Sequence, residues 1–194
     1  MRERIIEMTL IILISTVVYL FEPQASQFLA YYHTGIAEGQ VWRLLSATFC
    51  HTNLNHLLMN LAGLIITVVL FLDTFKTTRL WPIIIFNSFF VSLCLFFFEA
   101  DVIWYVGLSG VLHGLFSYGA AADINNKDRW GYLLGIGLLG KIIYEQVYGA
   151  QQSTIDLIGA QVMVNAHAYG ALAGTAFYIT HKSFLRQKDT TKDR

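Results

Sequence analysis

Ser109, His167, His56 and Asn60 are the residues of this chain whose types could do chemistry together. Ser109 stands between glycines in "GLSG", His167 lies in "VNAHAYGALAG", and His56 and Asn60 sit four apart in "HTNLNHLLMN". A serine hydroxyl becomes a useful nucleophile when a neighbouring histidine removes its proton during attack. His167, held neutral among apolar neighbours, suits that task. Attack on a peptide carbonyl builds an oxyanion, which needs preset hydrogen-bond donors. His56 and Asn60 offer two donors from side chains and the Ser109 backbone a third, while Gly107 and Gly110 leave room for a close substrate approach. No carboxylate is expected at the level of His167, so the set reads as a Ser–His dyad rather than a triad.

The elements that must position these groups are apolar. Hydrophobic residues make up 55% of the 194 positions and charged residues 13%, against roughly 25% charged in a soluble domain. Six apolar segments, near 5–21, 54–72, 80–98, 102–122, 130–148 and 162–180, have about the length that spans a bilayer. With the N-terminus cytoplasmic, every Lys and Arg except Arg43 and Lys141 falls on the inner side, as the positive-inside rule demands. The expectation is an all-α polytopic bundle of six transmembrane helices over 1–181, with an outer loop at about 22–50 and both termini cytoplasmic. A short charged tail at 182–194 is expected to stay disordered. The first segment follows Arg2 and Arg4 as a signal peptide would, but no small-x-small cleavage site comes after it, so it is taken as a retained helix. Zero formal net charge argues against a nucleic-acid partner. Cys50 and Cys94 make neither a disulfide framework nor a zinc motif.

On this topology the second, fourth and sixth spans all enter from the outer side. They bring His56 and Asn60, Ser109 and His167 to one depth, with Ser109 in the outer third of its helix. Each residue also has a plainer role. A membrane serine bonds back to its own backbone, and Gly107, Gly110, Gly114, Gly170 and Gly174 permit close helix packing. Ionisable groups within spans are costly and mark function more often. Four polar groups from three helices at one level therefore favour a site. Lys141 and Glu145, four apart in the fifth span, are expected to be a structural ion pair, with substrate contact as the alternative.

Together "WR" at 42–43, "HTNLNHLLMN", "GLSG" and "AHAYGALAG" resemble the rhomboid family of intramembrane serine proteases, over nearly the whole chain from residue 42 onward. The resemblance implies a six-helix bundle, Ser109 as nucleophile, His167 as general base, and an oxyanion hole of His56, Asn60 and the Ser109 amide. It places Trp42 and Arg43 in a loop partly within the outer leaflet, where anchoring and snorkelling are their plainer roles. Many rhomboids carry a tyrosine four residues after the serine. Here that position is His113, expected to support His167 by stacking or hydrogen bonding, with a shared base role as the alternative.

"YVGLSGVLHGLF" and "GKIIYEQVYG" are similar to the rhombosortase branch of that family. This implies a bacterial inner membrane, a site opening to the periplasm, and no metal or other cofactor. It also implies partners that are membrane-anchored proteins with a GlyGly-CTERM tail, meaning a glycine-rich motif before a C-terminal transmembrane helix. A general rhomboid protease of other single-span substrates is the nearest alternative. A metal or haem site on His51, His56, His113 and His167 would leave Ser109 and Asn60 without a role. A non-catalytic helix-binding scaffold would not need them either. A transporter would call for paired broken helices in inverted halves, which are not found.

Overall fold

The structure, a computed structural model, describes residues 2–192, with side chains described as far as 183. Helices account for 79% of it, so the all-α expectation holds. Helix α1 (Arg2–Leu20) leads into a compact loop region of α2 (Gln24–Leu29), β1 (Tyr31–Tyr32), α3 (His33–Ala37), α4 (Arg43–Ser46) and a 3-10 turn at Ala47–Phe49. Then follow α5 (Leu54–Leu70), α6 (Leu72–Thr77), α7 (Leu80–Phe98), β2 (Trp104–Tyr105), α8 (Ser109–Asn125), α9 (Arg129–Tyr148), α10 (Gln152–Ile158) and α11 (Val164–Lys192).

The six long helices lie on the six apolar segments, but their own length and apolarity do not establish six spans. By those measures α7 qualifies alone, and Arg43–Phe49 with Leu54–Leu70 qualifies as a pair bent by 95°. Alone, α5 has 17 residues, as does α8, and α9 carries Lys141 and Glu145. Their outward faces are nonetheless apolar, with Leu58, Ile66, Leu133, Ile136, Ile143 and Leu172 all more than half exposed. A belt of that kind is not a water-facing surface.

Polar contacts tie helix ends together at two levels. Glu7 accepts from the Leu80 amide at 2.7 Å through one carboxylate oxygen and pairs with buried Arg4 at 2.5 Å through the other. Thr74 donates to Asp123 at 3.1 Å, the Tyr118 hydroxyl meets His181 at 2.8 Å, and Lys182 bonds Asn125. The starts of α1 and α7, the end of α8 and residues 181–182 thus share one end, where the basic residues gather. At the opposite end Asn53 caps α5, its side chain accepting from the His56 amide at 2.9 Å.

Helices α8 and α11 run side by side in the same direction, and their contact is made backbone to backbone. A Cβ at Gly170 would overlap the Gly110 carbonyl oxygen, and one at Gly174 would overlap that of Gly114. The Ser117 hydroxyl crosses the same seam, donating to the Ala171 carbonyl at 2.8 Å. These glycines pack helices closely, as small residues do in lipid.

Two expectations fail on local grounds. The fourth segment is not helical from residue 102: β2 pairs antiparallel with β1, Gly107 turns at φ 117, and α8 begins only at Ser109. A helix interior does not adopt that φ, so the glycine ends the extended stretch and sets the helix start. Residues 182–192 do not leave the helix, since α11 continues to Lys192 with no Gly or Pro after Gly174 to stop it; residues 193–194 of the expected tail lie outside the described residues.

Gly170→Leu is therefore expected to overpack the α8–α11 seam and cost about 1–3 kcal/mol or more. Gly137→Ala, where an added Cβ meets nothing within 4 Å, should be neutral or stabilising by up to about 1 kcal/mol. Thermal unfolding of the two variants in detergent, with opposite signs expected, checks this.

Candidate active site

Ser109 is the first residue of α8, so its backbone N–H belongs to the unpartnered first turn. Its side chain does not bond back to its own helix. The hydroxyl lies 3.0 Å from Nε2 of His167, which sits one turn into α11 and is buried. The start of α11 is anchored to the end of α7, where Glu99 accepts from Asn165 at 2.6 Å and from the Tyr169 hydroxyl at 2.7 Å. The pair is thus fixed by the glycine seam along the helices and by this carboxylate cluster at their mouth.

The other nitrogen of His167 faces a carboxylate. Glu145 Oε2 lies 2.8 Å from Nδ1, and Glu145 Oε1 pairs with Lys141 at 2.5 Å. This corrects the expectation that no acidic group reaches this level. Helix α9 runs opposite to α11, so a residue one turn before the end of α9 meets one that lies one turn after the start of α11. The Lys141–Glu145 pair forms as expected, but one of its two oxygens is turned to the histidine.

His113 stacks on His167, with ring centroids 4.1 Å apart and planes 11° apart. Its Nδ1 is 2.8 Å from the Ser109 carbonyl oxygen. A carbonyl only accepts, so that nitrogen carries the proton. The expected stacking is present.

His56 and Asn60 face the Ser109 turn from α5. The Thr52 backbone N–H donates to Nδ1 of His56 at 3.4 Å, which leaves the proton on Nε2, toward Gly107. A Cβ on Gly107 would come within 2.8 Å of that imidazole and 3.6 Å of Asn60 Nδ2, so this position needs glycine both for its φ and for space. Asn60 Nδ2 is buried without a hydrogen-bond partner among the described residues. Such an orphan donor costs roughly 1–3 kcal/mol, and an oxyanion placed beside Ser109 would satisfy it.

His56, Asn60, Ser109, His113, Lys141, Glu145 and His167 line one cavity of about 350 Å³. A second cavity of about 200 Å³ reaches Ser109 from the side of Tyr105 and Met163. Gly110, Gly170 and Gly174 lie beneath the site in the helix seam. Arg43 is elsewhere and is not a snorkelling residue: it is buried and donates to the Ala30 carbonyl at 2.7 Å, the Gln27 carbonyl at 2.8 Å and the Gln40 side chain at 2.6 Å. Trp42 is half exposed and donates to the Phe28 carbonyl. The four-histidine ligand set does not assemble. His51 meets His56 edge-on at 5.0 Å, and the potential ligand group among the described residues is His113, Glu145 and His167.

Residues 38–183 match the rhomboid domain family. The chain belongs to the rhomboid family. That family is one of membrane proteins, generally intramembrane serine proteases that act on membrane protein substrates within the bilayer. This rhomboid protein is also 31% identical over 176 residues to "Rhomboid-like protein 11, chloroplastic" of Arabidopsis thaliana. The match takes in 84% of the chain, which spans 61% of the length of that curated relative.

Thr52 and Asn53 were not foreseen as site residues. Thr52 donates to the Ile158 carbonyl at 2.7 Å, and Asn53 and Asn55 both donate to that of Leu157 at 3.1 and 3.2 Å. They hold α10 across the start of α5. An Asn before an apolar helix is a capping signal, and "HTNLNH" carried it.

Replacing Asn60 with Leu removes the orphan donor while keeping the side chain's approximate size. The thermal midpoint is expected to stay level or rise. Labelling by a fluorophosphonate, whose phosphoryl oxygen takes the oxyanion position, should slow by on the order of 10²-fold or more.

Proposed function

We propose that this rhomboid protein is an intramembrane serine protease of the rhombosortase type, using Ser109 as nucleophile and His167 as general base. The observation that carries the reading is the 3.0 Å approach of the Ser109 hydroxyl to His167 Nε2, within hydrogen-bond reach for proton removal. Ser109 Oγ attacks the scissile carbonyl as its proton passes to Nε2. The oxyanion is met by Asn60 Nδ2, His56 and the Ser109 amide. The proton on Nε2 then passes to the leaving amine, and water completes the cycle by releasing the acyl group.

His113 serves as a stacking support and not as a second base, because the Ser109 hydroxyl is met by His167 Nε2 while His113 meets Ser109 at its carbonyl oxygen. The chain forms one membrane domain of six transmembrane helices at 1–181 with a charged extension after it. The basic end of the bundle faces the cytoplasm of a bacterial cell, and the site opens to the periplasm across the inner membrane.

The substrates are membrane-anchored proteins with a glycine-rich motif before a C-terminal transmembrane helix. A tail with a basic cytoplasmic end would present that motif at the level of Ser109. Each glycine disfavours helix by about 1 kcal/mol relative to alanine, so the scissile segment unwinds into the cavity at low cost. The sequence likeness of "YVGLSGVLHGLF" to the rhombosortase branch supports this choice over other single-span substrates.

Cleavage of a glycine-rich, tail-anchored reporter in membranes tests the proposal. Wild type is expected to cut, folded Ser109→Ala to lose cutting, and His113→Phe, which keeps the stacking plane, to lose less than about tenfold. Persistent cleavage by Ser109→Ala would remove the serine mechanism. Cutting of an alanine-rich tail as fast as the glycine-rich one would favour a general rhomboid protease.

A further inference from the structure

We propose that Glu145 is a positioning residue for His167, making the site a Ser109–His167–Glu145 triad in which the carboxylate fixes the base; this rests on the protease reading above. Glu145 Oε2 lies 2.8 Å from His167 Nδ1, and His167 Nε2 lies 3.0 Å from the Ser109 hydroxyl. The three groups form one line from carboxylate to nucleophile.

An ionised carboxylate only accepts, so it fixes the proton on Nδ1 and leaves the lone pair of Nε2 facing Ser109. The second oxygen is held by Lys141 at 2.5 Å, so the carboxylate cannot swing off the ring. His113 restrains the face of the same ring at 4.1 Å. In-plane and face restraints together leave the imidazole one useful orientation.

Packing does not explain this carboxylate. Helix α9 buries only Gly131, yet the Glu145 side chain is just 12% exposed while Lys141 beside it is 48% exposed. A carboxylate drawn inward from an otherwise outward-facing helix is costly in lipid, and the histidine is what it reaches. A metal fits less well. A tetrahedral ion with ligands at about 2.0–2.2 Å would hold its donors about 3.4 Å apart, whereas the Glu145–His167 contact has hydrogen-bond length.

In the reaction the Ser109 proton moves to Nε2, the Nδ1 proton stays where it is, and Glu145 remains ionised. The imidazolium formed in that step lies between two negative groups, the carboxylate and the developing oxyanion. When Nε2 gives its proton to the leaving amine, the imidazole returns to the tautomer it began with.

The full chain in detergent micelles tests this through two readouts, the rate of Ser109 labelling by a fluorophosphonate and the kcat and KM for the glycine-rich reporter. Glu145→Gln is expected to lower both kcat and the labelling rate by on the order of 10²- to 10⁴-fold, with KM and thermal midpoint little changed. Glu145→Asp, which keeps the charge, should recover part of the loss. If wild type labels well and Glu145→Gln labels equally fast, the positioning role is wrong while the protease reading stands. A change confined to KM would make the residue a substrate contact and overturn the proposal. So would loss of wild-type labelling on chelation, which would make His113, Glu145 and His167 metal ligands. Failure of folded wild type to label at all would instead sink the protease reading, and this proposal with it. Should Glu145→Gln not fold, Glu145→Asp decides: an intermediate kcat supports the role, and a wild-type kcat rejects it.

Discussion

Where α8 and α11 meet, the carbonyl oxygens of Gly110 and Gly114 fill the space that Cβ atoms of Gly170 and Gly174 would need. Backbone against backbone is the closest approach two helices can make, and it is rigid because no side chain can change rotamer to relieve it. Ser109 stands just before this seam on one helix and His167 just before it on the other. Their separation is therefore set by a steric contact between main chains, and the polar groups above need only aim the side chains.

Around that seam, polar groups fall into two kinds. At the rims several are satisfied: Glu99 gathers Asn165 and Tyr169, Arg43 spends its guanidinium on loop carbonyls, and Asn53 caps α5. Within the site Asn60 Nδ2 has no partner among the described residues, one of six such buried side-chain atoms. Buried polar groups are normally paired, so an orphan beside the proposed nucleophile marks where stability is given up. In the proposed mechanism the free donor is preorganised for charge that exists only during attack, which is where such groups are most effective.

Helix positions and the convergence of Ser109, His167, His56 and Asn60 were legible in the sequence, because apolar runs and their alternation in direction are written in composition and charge. The glycine pairs were legible as packing residues too. Three things were not. The start of α8 depends on the backbone sign at Gly107, which an apolar run with a glycine in it does not disclose. Arg43 looks like an interfacial cation, and only the folded loop shows the carbonyls that surround it. The contact of Glu145 with His167 was hidden by pairing: Lys141 one turn earlier supplies a sufficient reason for a carboxylate, although equal distances from the helix ends placed Glu145 and His167 at one level.

The loose seating of α9 has its own consequence. With Gly131 as its one buried residue among those described, this helix, on the six-span reading proposed above, presents most of its circumference to lipid and would tilt at small cost when hydrocarbon thickness changes. The glycine seam cannot respond in the same way. On that reading bilayer strain would be felt by the helix bearing Lys141 and Glu145 before it is felt by the Ser109–His167 spacing. Acyl-chain length would then act on the orientation of the imidazole, through the Glu145 contact, and leave its reach unchanged.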